Sequence, residues 1–438
     1  MGCRPLGECI ENVIDHRGLT PKKLGGDWAH SGHRALSAKN IKNGALVQEG
    51  SMNRVSDEMY YRWMTEEVER GDVFITSEAP FGEVLYWDSD EKLVLSQRIF
   101  GLKVNRDICD SRYLYYWMRS PLFQEELRGR ATGTTVTGLR QPELLKCMVN
   151  LPPRDAQAAI AHILGTIDDK IALNNRINGY LSDCLRNMAK NLYMGYERDK
   201  NELPHNWRLV KIGEIADLVC RGITPRYGKT SDEIVLGQTC IRNNLVIVEN
   251  GRPHAPKKIT EKWLKKNDLL INSTGVGSLG RTAQVWFNPD KLVVDSHITI
   301  VRAKNPSHAL YLGFWAFGHE KYIESLHTGS TGQTELPRDR VKAIELVLPS
   351  EQELEEFNSV AKPSVELIIA NQEENRRLTE LRDGLLPRLM SGEIDVSKVD
   401  LTQLNSHLPH PFPTPICCFL FHATSPRARV PHASIMRL

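Results

Sequence analysis

The sequence predicts an α+β fold: two similar mixed α/β globular domains separated by two long helices that form an antiparallel coiled coil, a pseudo-twofold internal duplication. Three observations carry this. First, from Ile160 the positions Leu164, Ile167, Ile171, Asn174, Asn178, Leu181 and Leu185 alternate steps of four and three, the seam of one long helix packed on another. Second, the pattern returns 197 residues downstream, from 160 to 357, as Phe357, Ala361, Ser364, Ile368, Asn371, Asn375, Leu378, Arg382 and Leu385, with the asparagine pair in the same places. Third, the segments that lead into the two helices share a series of short matches in one order, so the chain reads as a duplication.

Taken in order, residues 1–150 form the first globular domain. Stretches 71–76, 93–95 and 99–104 look like strands, 111–127 like a short helix, Pro121 and a further helical turn, and 131–138 like a small, hydroxylic loop. Residues 151–197 are the central helix, introduced by Leu151-Pro152. Residues 198–347 repeat the first domain. Gly18-Leu19-Thr20-Pro21 matches Gly222-Ile223-Thr224-Pro225, and Ile41-Lys42-Asn43 recurs as Ile241-Arg242-Asn243. Gly71-Asp72-Val73-Phe74-Ile75-Thr76-Ser77 answers to Asn267-Asp268-Leu269-Leu270-Ile271-Asn272-Ser273, and Thr132-Gly133-Thr134-Thr135 to Thr328-Gly329-Ser330-Thr331.

Residues 348–399, introduced by Leu348-Pro349, are the second helix, expected to end at Gly392. Lys362-Pro363-Ser364 either splits off 351–361 as a separate helix or kinks the longer one. Arg382 spoils one seam layer, and Leu381 is available to replace it. Residues 400–438, rich in proline and histidine without period, read as a poorly ordered tail.

An apolar seam left in water forfeits its burial energy, so each helix needs a partner, and the other copy is at hand. Roughly 35 to 40 helical residues make a spacer of order 55 Å. The asparagines either face one another inside the seam, where they fix register at some loss of stability, or lie solvated along one helix edge.

With 438 residues the chain has room for two or three domains, and 41% hydrophobic with 25% charged residues is ordinary for a soluble protein. It has no apolar run of about eighteen residues, and its start lacks the apolar core of a signal peptide, so a cytoplasmic location is expected. Nine cysteines without a Cys-x-x-Cys pair argue for reduced thiols. A net charge of +2 announces no nucleic-acid partner, so any such surface must come from local placement of cations.

No phosphate loop of the Gly-x4-Gly-Lys-Ser/Thr type appears, which argues against ATP hydrolysis by this chain. Gly275-Val276-Gly277-Ser278-Leu279-Gly280 has dinucleotide-type glycine spacing, but a strand-like run follows where a helix is required, so a glycine-rich hairpin or DNA-facing loop is the better reading. Ala79-Pro80-Phe81-Gly82 stands at the same place in the first domain. His30 and His33 lack a third metal ligand and read as surface histidines; His407, His410, Cys417, Cys418 and His422 form a looser zinc candidate in the tail. Asp295-Ser296-His297 carries little weight as catalytic machinery, because triads are spatial constellations. No catalytic residue and no metal site is assigned.

What remains are polar loops suited to bases and phosphates. In the first domain these are Thr20, Lys22, Lys39, Asn40, Lys42, Ser77, Gln97, Arg98, Thr132, Thr134 and Thr135. In the second they are Thr224, Arg226, Gln238, Arg242, Asn243, Ser273, Thr274, Arg281, His297, Thr328, Ser330 and Thr331. Amide and guanidinium groups can make bidentate contacts to base edges, and hydroxyls suit phosphate oxygens.

These residues resemble a known family, the specificity subunits of Type I restriction-modification enzymes. The resemblance rests on Leu151-Pro152-Pro153 with Ile167-Asp168-Asp169-Lys170-Ile171 and Asn174, and on Leu381-Arg382-Asp383-Gly384-Leu385-Leu386-Pro387-Arg388-Leu389-Met390-Ser391-Gly392-Glu393-Ile394, which is similar to the family's C-terminal signature. It covers nearly everything to Asp400, but the first domain lacks the residues that carry Trp207 in the second. The resemblance implies two target recognition domains, each reading half of a split double-stranded DNA sequence, with conserved helices setting their separation and docking methyltransferase subunits. It implies a complex with two modification subunits, which methylate adenine with S-adenosylmethionine, and two restriction subunits that use ATP and Mg. No cofactor is expected on this chain. The alternative from another class is a stand-alone nuclease or DNA methyltransferase with duplicated domains.

Overall fold

The structure, a computed structural model, describes residues 2–132, 137–194, 196, 203–228, 230–255, 261–329 and 334–398. Thr134, Thr135, Ser330, Thr331 and the tail with its histidines and cysteines lie outside the described residues. The chain divides into two compact units, Met1–Asp168 with Leu381–Leu438, and Asp169–Glu380. Both boundaries fall inside the long helices.

In the first unit Gly2–Pro5 pairs antiparallel with Met148–Leu151 and closes the domain on itself. A four-stranded antiparallel sheet has the order Ile10–Ile14, Ile99–Val104, Val73–Thr76, Val84–Tyr86. A three-stranded sheet has Arg54–Val55, His33–Leu36 and Val94–Leu95, the last two parallel. Ile41–Lys42 and Ala45–Leu46 form a small hairpin. All four residues of Val73–Thr76 are buried, which explains why that strand reads as an unbroken apolar run rather than an alternating one.

The second unit repeats every one of these pairings. Arg208–Lys211 joins Glu345–Leu348; Ala216–Arg221, Ile298–Ala303, Leu269–Asn272 and Thr282–Gln284 form the four-stranded sheet; Arg252–Pro253, Ile234–Leu236 and Leu292–Val294 the three-stranded one; Ile241–Arg242 and Leu245–Val246 the hairpin. The duplication therefore extends to strand order and direction. The glycine-spaced segment is the turn between Leu269–Asn272 and Thr282–Gln284, with Gly275, Gly277 and Gly280 all at positive φ, so it is a hairpin loop and not the entry to a helix.

The 111–127 stretch is two helices, Ser111–Arg119 and Pro121–Arg130. The second is ten residues and not a single turn, because Pro121 stands in its first turn, where a missing N–H costs nothing, and Ser120 Oγ accepts from Phe123 N at 3.3 Å.

The long helices are Arg154–Tyr193 and Glu351–Met390, 40 residues each and about 60 Å in length. Pro363 does not divide the second. It stops at a left-handed Gly392 (φ 77°) whose N–H returns to Leu389 O. In the first unit Ile160 and Leu164 share a core with Leu386, Leu389 and Tyr113; in the second, Leu185 shares one with Phe357, Ala361 and Ile368. Ile167 is also buried, whereas Ile171, Leu181, Leu378 and Leu385 are half-buried.

In the second unit Asn174 Nδ2 donates to Asn375 Oδ1 at 2.9 Å, and Asn371 Nδ2 donates to Asn178 Oδ1 at 2.8 Å. The first number rises as the second falls, so the helices run antiparallel there. Asn174 and Asn371 are only 1% and 8% exposed, which favours the facing arrangement over the solvated edge. Leu381 does not replace Arg382: it is 51% exposed, while the Arg382 side chain turns inward, 12% exposed, and donates to Asp168 Oδ1 at 2.7 Å. Asp168 in turn accepts from Tyr116 Oη at 2.7 Å, so the arginine enters the layer already paired.

The asparagine pairs make a stability prediction. Asn178→Leu strands the buried Asn371 amide and should cost about 1–3 kcal/mol. The double variant Asn178→Leu, Asn371→Leu should recover most of that in urea unfolding. A single variant as stable as the parent would mean this bond is not made.

Candidate nucleic-acid interface

Both domains build one frame of backbone hydrogen bonds around the end of the four-stranded sheet. In the first, Ser77 N donates to Arg98 O (2.8 Å) and Leu139 N to Ser77 O (3.1 Å). In the second, Ser273 N donates to His297 O (2.9 Å) and Leu336 N to Ser273 O (2.8 Å). Beside this frame a loop is pinched at its base: Thr132 and Gly138 exchange two bonds at 3.0 and 2.9 Å, and Thr328 and Glu335 two at 2.7 and 3.0 Å. Position by position, Ser77 corresponds to Ser273, Arg98 to His297 and Thr132 to Thr328.

An arginine locks each loop base. Arg17 Nη1 donates to Leu139 O at 3.1 Å, with Asp15 gripping its Nε and Nη2 at 2.8 Å each and the Phe100 ring 3.8 Å from its guanidinium carbon. Arg221 Nη2 donates to Leu336 O and to Glu335 Oε1, both at 2.8 Å. Burial lowers the pKa of Arg221 from its ordinary value, against the pull of Glu335. Neither arginine is among the residues expected from the sequence, although the signal is there: the Gly-Leu-Thr-Pro and Gly-Ile-Thr-Pro match extends one residue upstream, to Arg17 and Arg221.

In the first domain two adjoining clefts, about 370 and 290 Å³, share Gln97 and Arg98. Ser77 and Thr132 line the larger; Thr20, Lys39 and Asn40 line the smaller. Gln97, Arg98, Lys39 and Thr132 are exposed and available to a ligand. Ser77 is buried, and so is Asn40, whose amide is used inside the fold, accepting from Ser37 Oγ at 2.8 Å and donating to Val47 O at 3.3 Å. Thr20 caps the short helix Pro21–Leu24 through Lys23 N at 3.4 Å. Lys22 and Lys42 are exposed but outside both clefts.

In the second domain Gln238, Thr274 and His297 are drawn together. Gln238 Nε2 donates to the Thr274 carbonyl, and Thr274 Oγ1 lies 2.8 Å from His297 Nδ1. Ser273 is buried, bonded to Thr299 Oγ1 at 2.7 Å, and belongs to the frame. Arg242 and Asn243 are exposed at the turn of the small hairpin, Thr224, Arg226 and Thr328 are exposed on loops, and Arg281 is half-buried after the glycine loop. Asp295 Oδ1 accepts from His297 N at 2.9 Å and braces the turn. Likewise His33 is engaged with Asp57 at 2.9 Å and stacked on Tyr60.

The chain matches the family model described as Type I restriction modification DNA specificity domain over residues 34–181 and 204–368, once per repeat. It is 25% identical over 356 residues to the Type I restriction enzyme MjaIX specificity subunit of Methanocaldococcus jannaschii, covering 75% of this chain and 79% of the relative. It is 22% identical over 402 residues to the HindI specificity subunit of Haemophilus influenzae, covering 75% and 87%. The crystal structure of a Type-I restriction-modification system S subunit from M. genitalium superposes with a TM-score of 0.57 at 16% identity, covering 89% of this chain and 95% of that one, and shows the same fold.

Burial raises the Asp295 pKa, more than the His297 N–H lowers it. A carboxyl whose folded pKa lies above its unfolded value contributes least once it is ionised, so its contribution falls as pH rises through that raised value. Asp295→Asn keeps the acceptor and removes the charge. Urea unfolding should show the variant gaining on the parent between pH 3.5 and pH 7; a difference that does not change with pH would contradict this.

Proposed function

The chain belongs to the Type I restriction-modification DNA specificity domain family, and we propose that each of its two globular domains reads one half of a bipartite double-stranded DNA target. Its function is DNA sequence recognition. One observation carries the bipartite reading: the same frame of backbone bonds recurs in both domains while the side chains on its rim differ, Gln97 and Arg98 in one, Ser296 and His297 in the other. A shared scaffold with different polar rims is what two readers of different sequences require, because sequence is read by side chains at base edges.

In this reading the chain is a non-catalytic subunit of a restriction system. Adenine methylation with S-adenosylmethionine and ATP-driven, Mg-dependent cleavage belong to methyltransferase and restriction subunits, and the paired long helices set half-site spacing and dock the methyltransferase. Among the described residues no helix is long and apolar enough to cross a membrane, and work on DNA in the cytoplasm accords with that. The net charge of +2 fits a chain that meets DNA inside a larger assembly rather than alone.

Two measurements test this. Replacing residues 1–150 by the matching segment of a relative, then mapping methylated sites with methyltransferase subunits present, should change one half of the motif and leave the other intact; a motif that changes as one unit would refute the model. Separately, inserting seven residues into each long helix beside the asparagine pairs preserves the seam phase and adds about 10.5 Å. The gap between half-sites should then lengthen by roughly three base pairs, at about 3.4 Å each, with both half-sites unchanged. An unchanged gap would remove the helices from the role of spacer.

A further inference from the structure

The rim position occupied by Arg98 and His297 differs in chemistry between the two domains while sharing a backbone frame. Arg98 has φ 68°, in the left-handed region that non-glycine residues enter only when their surroundings hold them there. Its carbonyl is fixed by Ser77 N at 2.8 Å, and its Nε lies 3.0 Å from Glu78 Oε1. Among the described residues no other ion pair or hydrogen bond occupies its terminal nitrogens, and the side chain is 48% exposed where the two clefts meet. The second domain has Thr274 in place of Glu78, bonded through Oγ1 to His297 Nδ1, and no ion pair is formed between these two.

We propose that Arg98, oriented by Glu78, is the guanine reader of the first half-site. An arginine held at Nε presents its two terminal amino groups as a fork that fits O6 and N7 of guanine in the major groove. The neighbouring carboxylate argues for a base edge over a phosphate. It cancels the guanidinium charge and would repel a phosphate, yet it suits the cytosine N4 amino group of the same or the next pair, which needs an acceptor. Glu78 is thus a positioning residue with an acceptor of its own. His297 offers a single ring nitrogen beyond the one engaged by Thr274, so the second half-site is read differently at the corresponding pair. This inference rests on the bipartite reading above.

The test is selection of bound sequences from a randomised DNA library by the full chain assembled with its methyltransferase subunits. Three variants are compared: Arg98→Asn, which tolerates a left-handed φ; Arg98→Lys, which keeps the charge without the fork; and Glu78→Gln. The parent should select a motif with a G·C pair in its first half. Both Arg98 variants should lose the preference at that one pair, weakening the parental site roughly ten- to a hundredfold relative to the same site with the pair changed. Every other position should stay as it was. Glu78→Gln should relax the same pair or its neighbour and nothing else. An unchanged motif, or weaker binding that is uniform across sequences with Arg98→Lys restoring affinity, overturns the proposal in favour of no contact or a phosphate contact. Should Arg98→Asn not fold, Arg98→Lys and Glu78→Gln decide the matter by the same criteria. A parental motif without two separable halves would instead sink the bipartite reading, whatever Arg98 does.

Discussion

The register between the two long helices is the constraint on which the rest depends. Each helix supplies core residues to both units and polar pairs near its middle. In the second unit Asn371 with Asn178, and Asn375 with Asn174, admit one alignment, because a shift by one turn would leave buried amides facing Leu181 or Ile368 without partners. In the first unit Arg382 needs Asp168 for the same reason. Apolar layers alone would tolerate slippage by a heptad; paired polar layers do not. Leu386 and Leu389 in one core, and Phe357 and Ile368 in the other, occupy their places only in that register.

The duplicated domains tie their small hairpins to the long helices with different chemistry. In the first, Arg119 reaches Asn43 O at 3.5 Å and Asp168 at 3.6 Å, a guanidinium between hairpin and helix. In the second, the arginine stands on the helix: Arg186 donates to Asn244 Oδ1 at 2.8 Å, and Asn244 Nδ2 continues to Glu320 Oε1 at 2.9 Å. Gly44 takes the place of Asn244, so no side chain is available there to repeat the contact. The link is kept while its donors and acceptors change sides, as expected of a contact that anchors rather than reads.

What the sequence made legible was whatever has a period or a repeat. The seam, the asparagines and the matched order of domains could be read because 3.5-residue spacing and a 197-residue offset leave a pattern in the letters. The pairing order of two- to four-residue strands left none, since so short a segment has too few residues to alternate. Arg382 looked like a defect because one-dimensional spacing cannot show that Asp168, 214 positions away, is waiting for it. Residue type alone places Asn40 and Ser77 among the polar loop groups, and the fold buries both and uses Asn40 as a cap. Arg17 and Arg221 are marked in the sequence only by the repeat, because each grips a main-chain carbonyl, which any residue can supply, so the identity of Leu139 or Leu336 does not mark the contact.

The distribution of charge bears on how such a chain meets DNA. Its cations are numerous, 56 lysines and arginines, but many are already spent. Arg34 holds Glu49 and Glu91, Arg70 holds Asp88 and Asp90, Arg302 holds Asp268, and Arg376 holds Glu373 and Glu380. A cation paired within the fold releases no counterion when a phosphate approaches, so these residues add little to sequence-independent affinity. The rims that the proposed reading turns toward DNA carry hydroxyls, amides and single arginines, which reward the right base edge more than the backbone. On the proposed reading discrimination and affinity are separated: the two polar rims supply the first, and the second would fall to partner subunits. Such a division would keep a reader of two short half-sites from being held on DNA that matches neither.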